Sequence, residues 1–230
     1  MTDTIDDTCA HGAVDQRAVA SCEPYGYFVL LIAAWYGAWL LFQWTGIGAL
    51  SSRQQLAYWT IAKLLIWLAP IVMVVRLVFR QRLATYLGLV RPVRGTVAGI
   101  VAGAIFVVFA GTLDVFIRTY GWPTPGPGLF NALVIAPLFE ELMFRGYAMR
   151  VLQERGYGFW SANVVAALMF VGLHLPGWHF MGGLDASRVV MVVSIVLIGL
   201  VAGYAMRRAR STWAAVAFHF VNNLYSSFLR

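Results

Sequence analysis

Phe139-Glu140-Glu141-Leu142-Met143-Phe144-Arg145 sets two adjacent carboxylates and a guanidinium inside an apolar run of about residues 129–152. About 20 apolar residues in a helix cross a hydrocarbon core of roughly 30 Å. The run meets that length, so it reads as a membrane-spanning helix. Its carboxylates lie about 11 residues from the start, or about 17 Å along the axis at a rise of 1.5 Å per residue. That depth is mid-membrane. An ionisable group there costs roughly 2.5–3.5 kcal/mol on insertion scales, so such groups are functional candidates by default.

Helical spacing divides the labour between the two carboxylates. Glu141 and Arg145 are four residues apart on one face and can form an ion pair. Glu140 points about 100° away, which leaves it free for chemistry. A bridge that only joins helices explains one carboxylate and not the other. Pro137 lies one turn upstream and cannot donate to the Leu133 carbonyl, so a bend is expected just before the pair.

The rest of the chain has the same character. Hydrophobic residues make up 60% and charged residues 12%, against roughly 45–50% and 25% in a soluble domain. A small soluble core could not hide that much apolar surface. The net charge of +7 comes from 17 basic and 10 acidic residues. The basic residues sit in short loops between apolar runs, not along one amphipathic face, which argues against nucleic acid. Cys9 and Cys22 lie in the polar N-terminal segment without CxxC spacing, so no disulfide framework or zinc motif is indicated. Palmitoylation of Cys22 is a minor alternative.

Residues 1–24 read as a flexible polar tail. No basic segment precedes a short apolar stretch there, so it is not a secretory signal peptide. Spans are predicted at about 27–44, 56–79, 95–116, 129–152, 159–175, 189–206 and 212–229, the fifth stopping at Pro176-Gly177. The expected fold is all-α: a polytopic transmembrane helical bundle of about seven spans, with an eighth possible, forming one domain over 25–230. Gly95, Gly99 and Gly103 fall on one face of the third span and would let a neighbouring helix approach closely. With a cytoplasmic N-terminus, inside positions collect Arg17, Arg76, Arg80, Arg82, Arg91, Arg94, Arg150, Arg155, Arg207, Arg208 and Arg210. Outside positions collect Arg53, Arg118, Arg188 and Arg230. That asymmetry satisfies the positive-inside rule.

Two more spans carry polar residues. Phe170 and His174 share a face of the fifth, and His219 and Asn223 share a face of the seventh, with Asn222 turned about 100° away. Each pair alone could be interhelical packing. Together with the first motif they suggest a hydrolase. A carboxylate in a low-dielectric cavity, Glu140, would act as general base, with His174 orienting the same water. His219 and Asn223 would donate hydrogen bonds to a developing oxyanion. Zinc held by Glu140, His174 and His219 is the alternative. It lacks an HExxH motif, and His174 and His219 could meet only through tertiary structure. A non-enzymatic immunity or binding protein would also retain such residues, and a proton relay or transporter would use them. Paired interrupted helices, which mark inverted-repeat transporters, are not evident. Lys63 and Asp114 are lesser anomalies, read as structural.

Glu140 to Arg145 fits the EExxxR motif of the type II CAAX prenyl endopeptidase and bacteriocin-processing family (CPBP, also called ABI). Phe170 to His174 fits its FxxxH motif, and His219 to Asn223 its HxxxN motif. The chain resembles this family over about residues 129–229, in motif order, spacing and placement on successive spans. The resemblance implies an intramembrane glutamic endopeptidase without a cofactor. Glu140 and His174 would activate water, His219 and Asn223 would form the oxyanion site, and Glu141 and Arg145 would support them. It also implies a membrane protein or peptide as substrate, exported or lipidated, and the bilayer as environment. The chain is shorter than the larger prenyl-protein proteases, which favours a bacterial plasma-membrane enzyme over one acting on CAAX proteins. The oligomeric state is not legible in the sequence.

Overall fold

A computed structural model describes residues 24–114, 119–183 and 186–229. The N-terminal tail with Cys9 and Cys22, and the side chain of Asp114, lie outside the described residues.

Seven long helices follow one another: α1 (Pro24–Trp44), α2 (Ser52–Val78), α3 (Pro92–Asp114), α4 (Pro127–Glu154), α5 (Phe159–Phe180), α6 (Ala186–Ala209) and α7 (Thr212–Phe228). Pro24, Pro92 and Pro127 each open a helix. The first helical position needs no N–H, and the fixed proline φ already suits it. Six of the helices are long and apolar enough to cross a bilayer. The seventh, α7, has 17 residues, or about 25 Å of helix. It is wrapped by α3, α4 and α6, so it does not need an apolar surface all round.

The bundle is arranged inside out relative to a soluble protein. Val29, Leu65, Leu77, Val101, Ile105, Val108, Phe109 and Val190 are exposed, while Glu140, Glu141, Arg145, His219 and Asn222 are buried. The outer side chains lose nothing in hydrocarbon, whereas each inner polar group must find a partner inside the protein. The predicted glycine face is the tightest seam. A Cβ on Gly95 would meet the Ser211 and Trp213 side chains, one on Gly99 the Ala214 carbonyl, and one on Gly103 the Val221 side chain. Side-chain-free positions on α3 therefore let α7 lie against it.

One expectation about prolines needs revision. The fifth span was expected to stop at Pro176-Gly177, but α5 continues to Phe180. An internal proline removes only its own N–H bond to the preceding turn. The continued turn is held by packing: Trp178 is buried, and Tyr36 and Trp39 of α1 contact the Phe180 ring. Pro137 was expected to disturb the helix just before the carboxylates. The helix accommodates it with a wide π turn over Asn131–Ile135, closed by the Ala136 N–H donating to the Asn131 carbonyl. Pro70 of α2 is preceded in the same way, by Leu64–Leu68, with the Ala69 N–H donating to the Leu64 carbonyl. A second wide turn, Leu142–Ala148, follows the two glutamates. One inserted residue per wide turn rotates everything beyond it, so the carboxylates stand on a short α segment between two register shifts.

Candidate active site

The α4 segment Ala136–Glu141 is buried on most of its surface, and both glutamates face inward. Glu141 is fully enclosed. Arg145 Nη1 lies 3.1 Å from its Oε2 and donates to its Oε1 at 3.2 Å. His219 of α7 donates through Nδ1 to the same Oε1 at 2.8 Å. Three charged or polar groups from two helices are thus locked together, which makes Glu141 and Arg145 the anticipated brace and adds His219 to it. The Arg145 guanidinium also lies 5.0 Å over the Phe170 ring. Its Nη2 fits because position 199 is glycine: a Cβ there would come within 2.8 Å.

Glu140 is placed differently. Its Oε2 lies 3.9 Å from His219 Nε2, too far for a hydrogen bond. Glu140 instead lines a cavity of about 150 Å³ together with His174, Lys63, Trp35, Trp67 and Trp178. His174 donates through Nδ1 to the Phe170 carbonyl at 2.8 Å. In a neutral imidazole that leaves Nε2 as the acceptor. Phe170, four residues before His174 and the first residue of the FxxxH pattern, therefore contributes both its carbonyl and a ring 5.0 Å from the imidazole. The indole N–H groups of Trp39 and Trp67, also in the cavity wall, are buried without hydrogen-bond partners.

Asn223 sits one turn beyond His219 on α7. Its Nδ2 donates to the Ala132 carbonyl of α4 at 2.8 Å, and Asn222 Nδ2 lies 3.3 Å from its Oδ1. That carbonyl is in the wide turn ahead of Pro137, where normal helix pairing is displaced. The side chain amide of Asn223 therefore satisfies a backbone group that the proline leaves behind.

Sequence reasoning named Lys63 but read it as structural, apart from the site. It is 6% exposed in the middle of α2. Its Nζ donates to Asn131 Oδ1 at 3.1 Å and lies 5.3 Å over the Trp67 ring. It also shares the cavity and an electrostatic interaction with Glu140. The charges inside the bundle then balance: Arg145 against Glu141, Lys63 against Glu140. The available signal was a lysine with apolar neighbours on both sides, seven residues before Pro70. The alternative reading sets Glu140, His174 and His219 around a zinc ion. Among the described residues no three histidine, cysteine or carboxylate groups come together to hold one, and His219 commits Nδ1 to Glu141.

The family model described as Type II CAAX prenyl endopeptidase Rce1-like matches residues 122–225. This segment of the chain is similar to that family. The family is one of proteases, and with its apolar helices the chain is an integral, multi-pass membrane protein. All seven residues of the three motifs, Glu140, Glu141, Arg145, Phe170, His174, His219 and Asn223, fall inside the match, whereas Lys63 and the α1 tryptophans lie outside it. No curated protein matches the chain.

Proposed function

We propose that this Rce1-like protein is an intramembrane endopeptidase that uses Glu140 to activate water for peptide-bond hydrolysis. The observation that carries this reading is the contrast between the glutamates: Glu141 is consumed by Arg145 and His219, while Glu140 borders a cavity with His174. A water in that cavity would give a proton to Glu140 as its oxygen attacks the substrate carbonyl carbon. His174 Nε2 would accept a hydrogen bond from the water's other O–H and so aim its lone pair. The carbonyl oxygen gains the negative charge, and the donors assigned to it are the second N–H of the Asn223 amide and His219 Nε2–H of a doubly protonated ring whose Nδ1–H is held by Glu141. Asn223 spends only one of its two N–H groups on Ala132. Collapse of the intermediate breaks the C–N bond, and Glu140 returns its proton to the departing amine. No metal enters these steps.

Lys63 and the tryptophan wall set what can occupy the cavity. An apolar substrate segment would pack on Trp35, Trp67 and Trp178, with Lys63 offsetting the Glu140 charge. The cavity also includes Gly177 and Met181, at the last turn of α5. That end is opposite the one crowded with arginines. With the arginines cytoplasmic, substrate enters from the outer face, which suits membrane-associated, lipidated or exported proteins of a bacterial plasma membrane.

The test is proteomic comparison of membrane-protein termini in cells carrying the wild type or Glu140→Gln. Loss of a general base costs about 10²–10⁴ in rate, so termini generated by the wild type should vanish in the variant while its folded yield is unchanged. Normal processing by Glu140→Gln would overturn the mechanism.

A further inference from the structure

At the end of the bundle where α4 stops and α5 and α7 begin, a cavity of about 560 Å³ lies beside the turn containing Tyr86. Ligand sites typically enclose about 300–1,000 Å³. Buried Tyr86, Met149 and Thr212 form its floor, and exposed Gln153, Arg207 and Arg210 form its rim. No carboxylate lines it. Arg150 also reaches the wall, but its charge is taken by Glu154 at 2.9 Å and its Nη1 donates to the Tyr86 carbonyl at 2.8 Å. Arg207 and Arg210 have no ion-pair partner among the described residues. Arg207 is held with its guanidinium 4.2 Å over the Phe159 ring. Stacking fixes the plane of the fork while leaving its N–H edge open.

Arg210 adds a backbone observation. It has φ 54°, a left-handed conformation that glycine adopts freely and residues with a Cβ do not. Among the described residues, the non-glycine positions of this kind are Arg80, Arg91 and Arg210. All three are arginines in connections at this same end. Arginine stands at position 210, where the chain geometry alone favours glycine.

We propose that this cavity binds a phosphate-bearing anion, held by the Arg207 and Arg210 guanidiniums with Gln153 as a neutral donor. Arginine forks match phosphate oxygens two at a time. The cavity opens at the ends of the membrane helices, the level of lipid headgroups, so an anionic phospholipid supplies this chemistry at high local concentration. A soluble phosphate would present the same oxygens. The site is separate from the Glu140 cavity and stands whether or not the protein is a protease.

The experiment uses the full chain purified in a neutral detergent, titrated with short-chain phosphatidylglycerol, short-chain phosphatidylcholine and inorganic phosphate, and read by the midpoint of thermal unfolding. Phosphatidylglycerol is expected to raise the midpoint saturably, phosphatidylcholine is not, and added sodium chloride should weaken the response. A response to phosphatidylglycerol alone assigns the ligand to lipid, and an equal response to inorganic phosphate assigns it to a soluble anion. Arg210→Gly removes a charge while suiting the local backbone, so its midpoint without ligand should match or exceed the wild type. Its apparent affinity should fall about fivefold, the effect of one basic residue at an anionic surface, and further with Arg207→Gln added. Arg53→Ala, at the opposite end, should titrate as the wild type. Equal responses to both lipids with none to phosphate, or wild-type affinity in Arg210→Gly and in Arg207→Gln/Arg210→Gly, would overturn the proposal. If the double variant fails to fold, Arg210→Gly and the salt dependence decide.

Discussion

Helix α4 carries two ion pairs at the same four-residue spacing, Glu141 with Arg145 and Arg150 with Glu154. The first pair has 0% side-chain exposure on both partners, and the second has 24% and 21%. Within the sequence they are equivalent i,i+4 pairs. In the bundle, α5, α6 and α7 close over the first, while the second lies at the membrane end beside the Tyr86 turn. The buried pair recruits His219 and holds one wall of the candidate site. The outer pair recruits the Tyr86 hydroxyl, which donates to Glu154 at 2.7 Å, and anchors the connection between α2 and α3. The same spacing thus serves a site in one place and a tether in the other, and low dielectric is the difference.

That contrast can be broken most directly at Arg145. Removing one partner of a buried pair leaves an uncompensated charge and costs about 3–5 kcal/mol. Arg145→Ala should therefore show a sharply lower unfolding midpoint and poor folded yield. A variant as stable as the wild type would mean that Glu141 is held by His219 alone.

Gly199→Ala sharpens the contrast without touching a charge. The new methyl would come within 2.8 Å of Arg145 Nη2 and 2.9 Å of Ala167 Cβ. Overpacking of this kind costs about 1–3 kcal/mol. The midpoint should drop by less than in Arg145→Ala, and proteolysis should weaken because the brace is displaced.

Glu154→Gln should have the smallest effect, about 1 kcal/mol or less, because a partly exposed pair is screened. Here pH supplies a second measurement. Burial, and then the hydrogen bond to Glu154, push the Tyr86 phenol far above its ordinary range. The folded state keeps this proton after the unfolded chain begins to lose it near pH 10. Stability from this group is therefore fully present below about pH 10 and declines as pH rises above it. Glu154→Gln should flatten that alkaline decline, seen in unfolding midpoints across the range.

Much of the fold was legible because the bilayer imposes simple rules. Span lengths, the loop arginines and the glycine face of α3 follow from hydrocarbon thickness, charge placement and side-chain size. The end of α5 was misread at Pro176, because ring packing from α1 outweighs the loss of one backbone bond. The site divides similarly. Helical spacing alone paired Glu141 with Arg145 and turned Glu140 away. It could not show that His219 would bind Glu141, that Asn223 would cap a carbonyl displaced by Pro137, or that Lys63 would enter from α2. Those meetings join residues 91, 78 and 68 positions apart in the chain.

The sequence by itself determined a multi-pass helical membrane protein with an Rce1-like segment and ionisable groups on successive spans, because period and length are local properties of a helix in lipid. Only the tertiary structure decided which of two adjacent glutamates is enclosed and which faces a cavity. That choice depends on which helices pack over each face, and the wide turns flanking Ala136–Glu141 rotate those faces in a way residue spacing does not record.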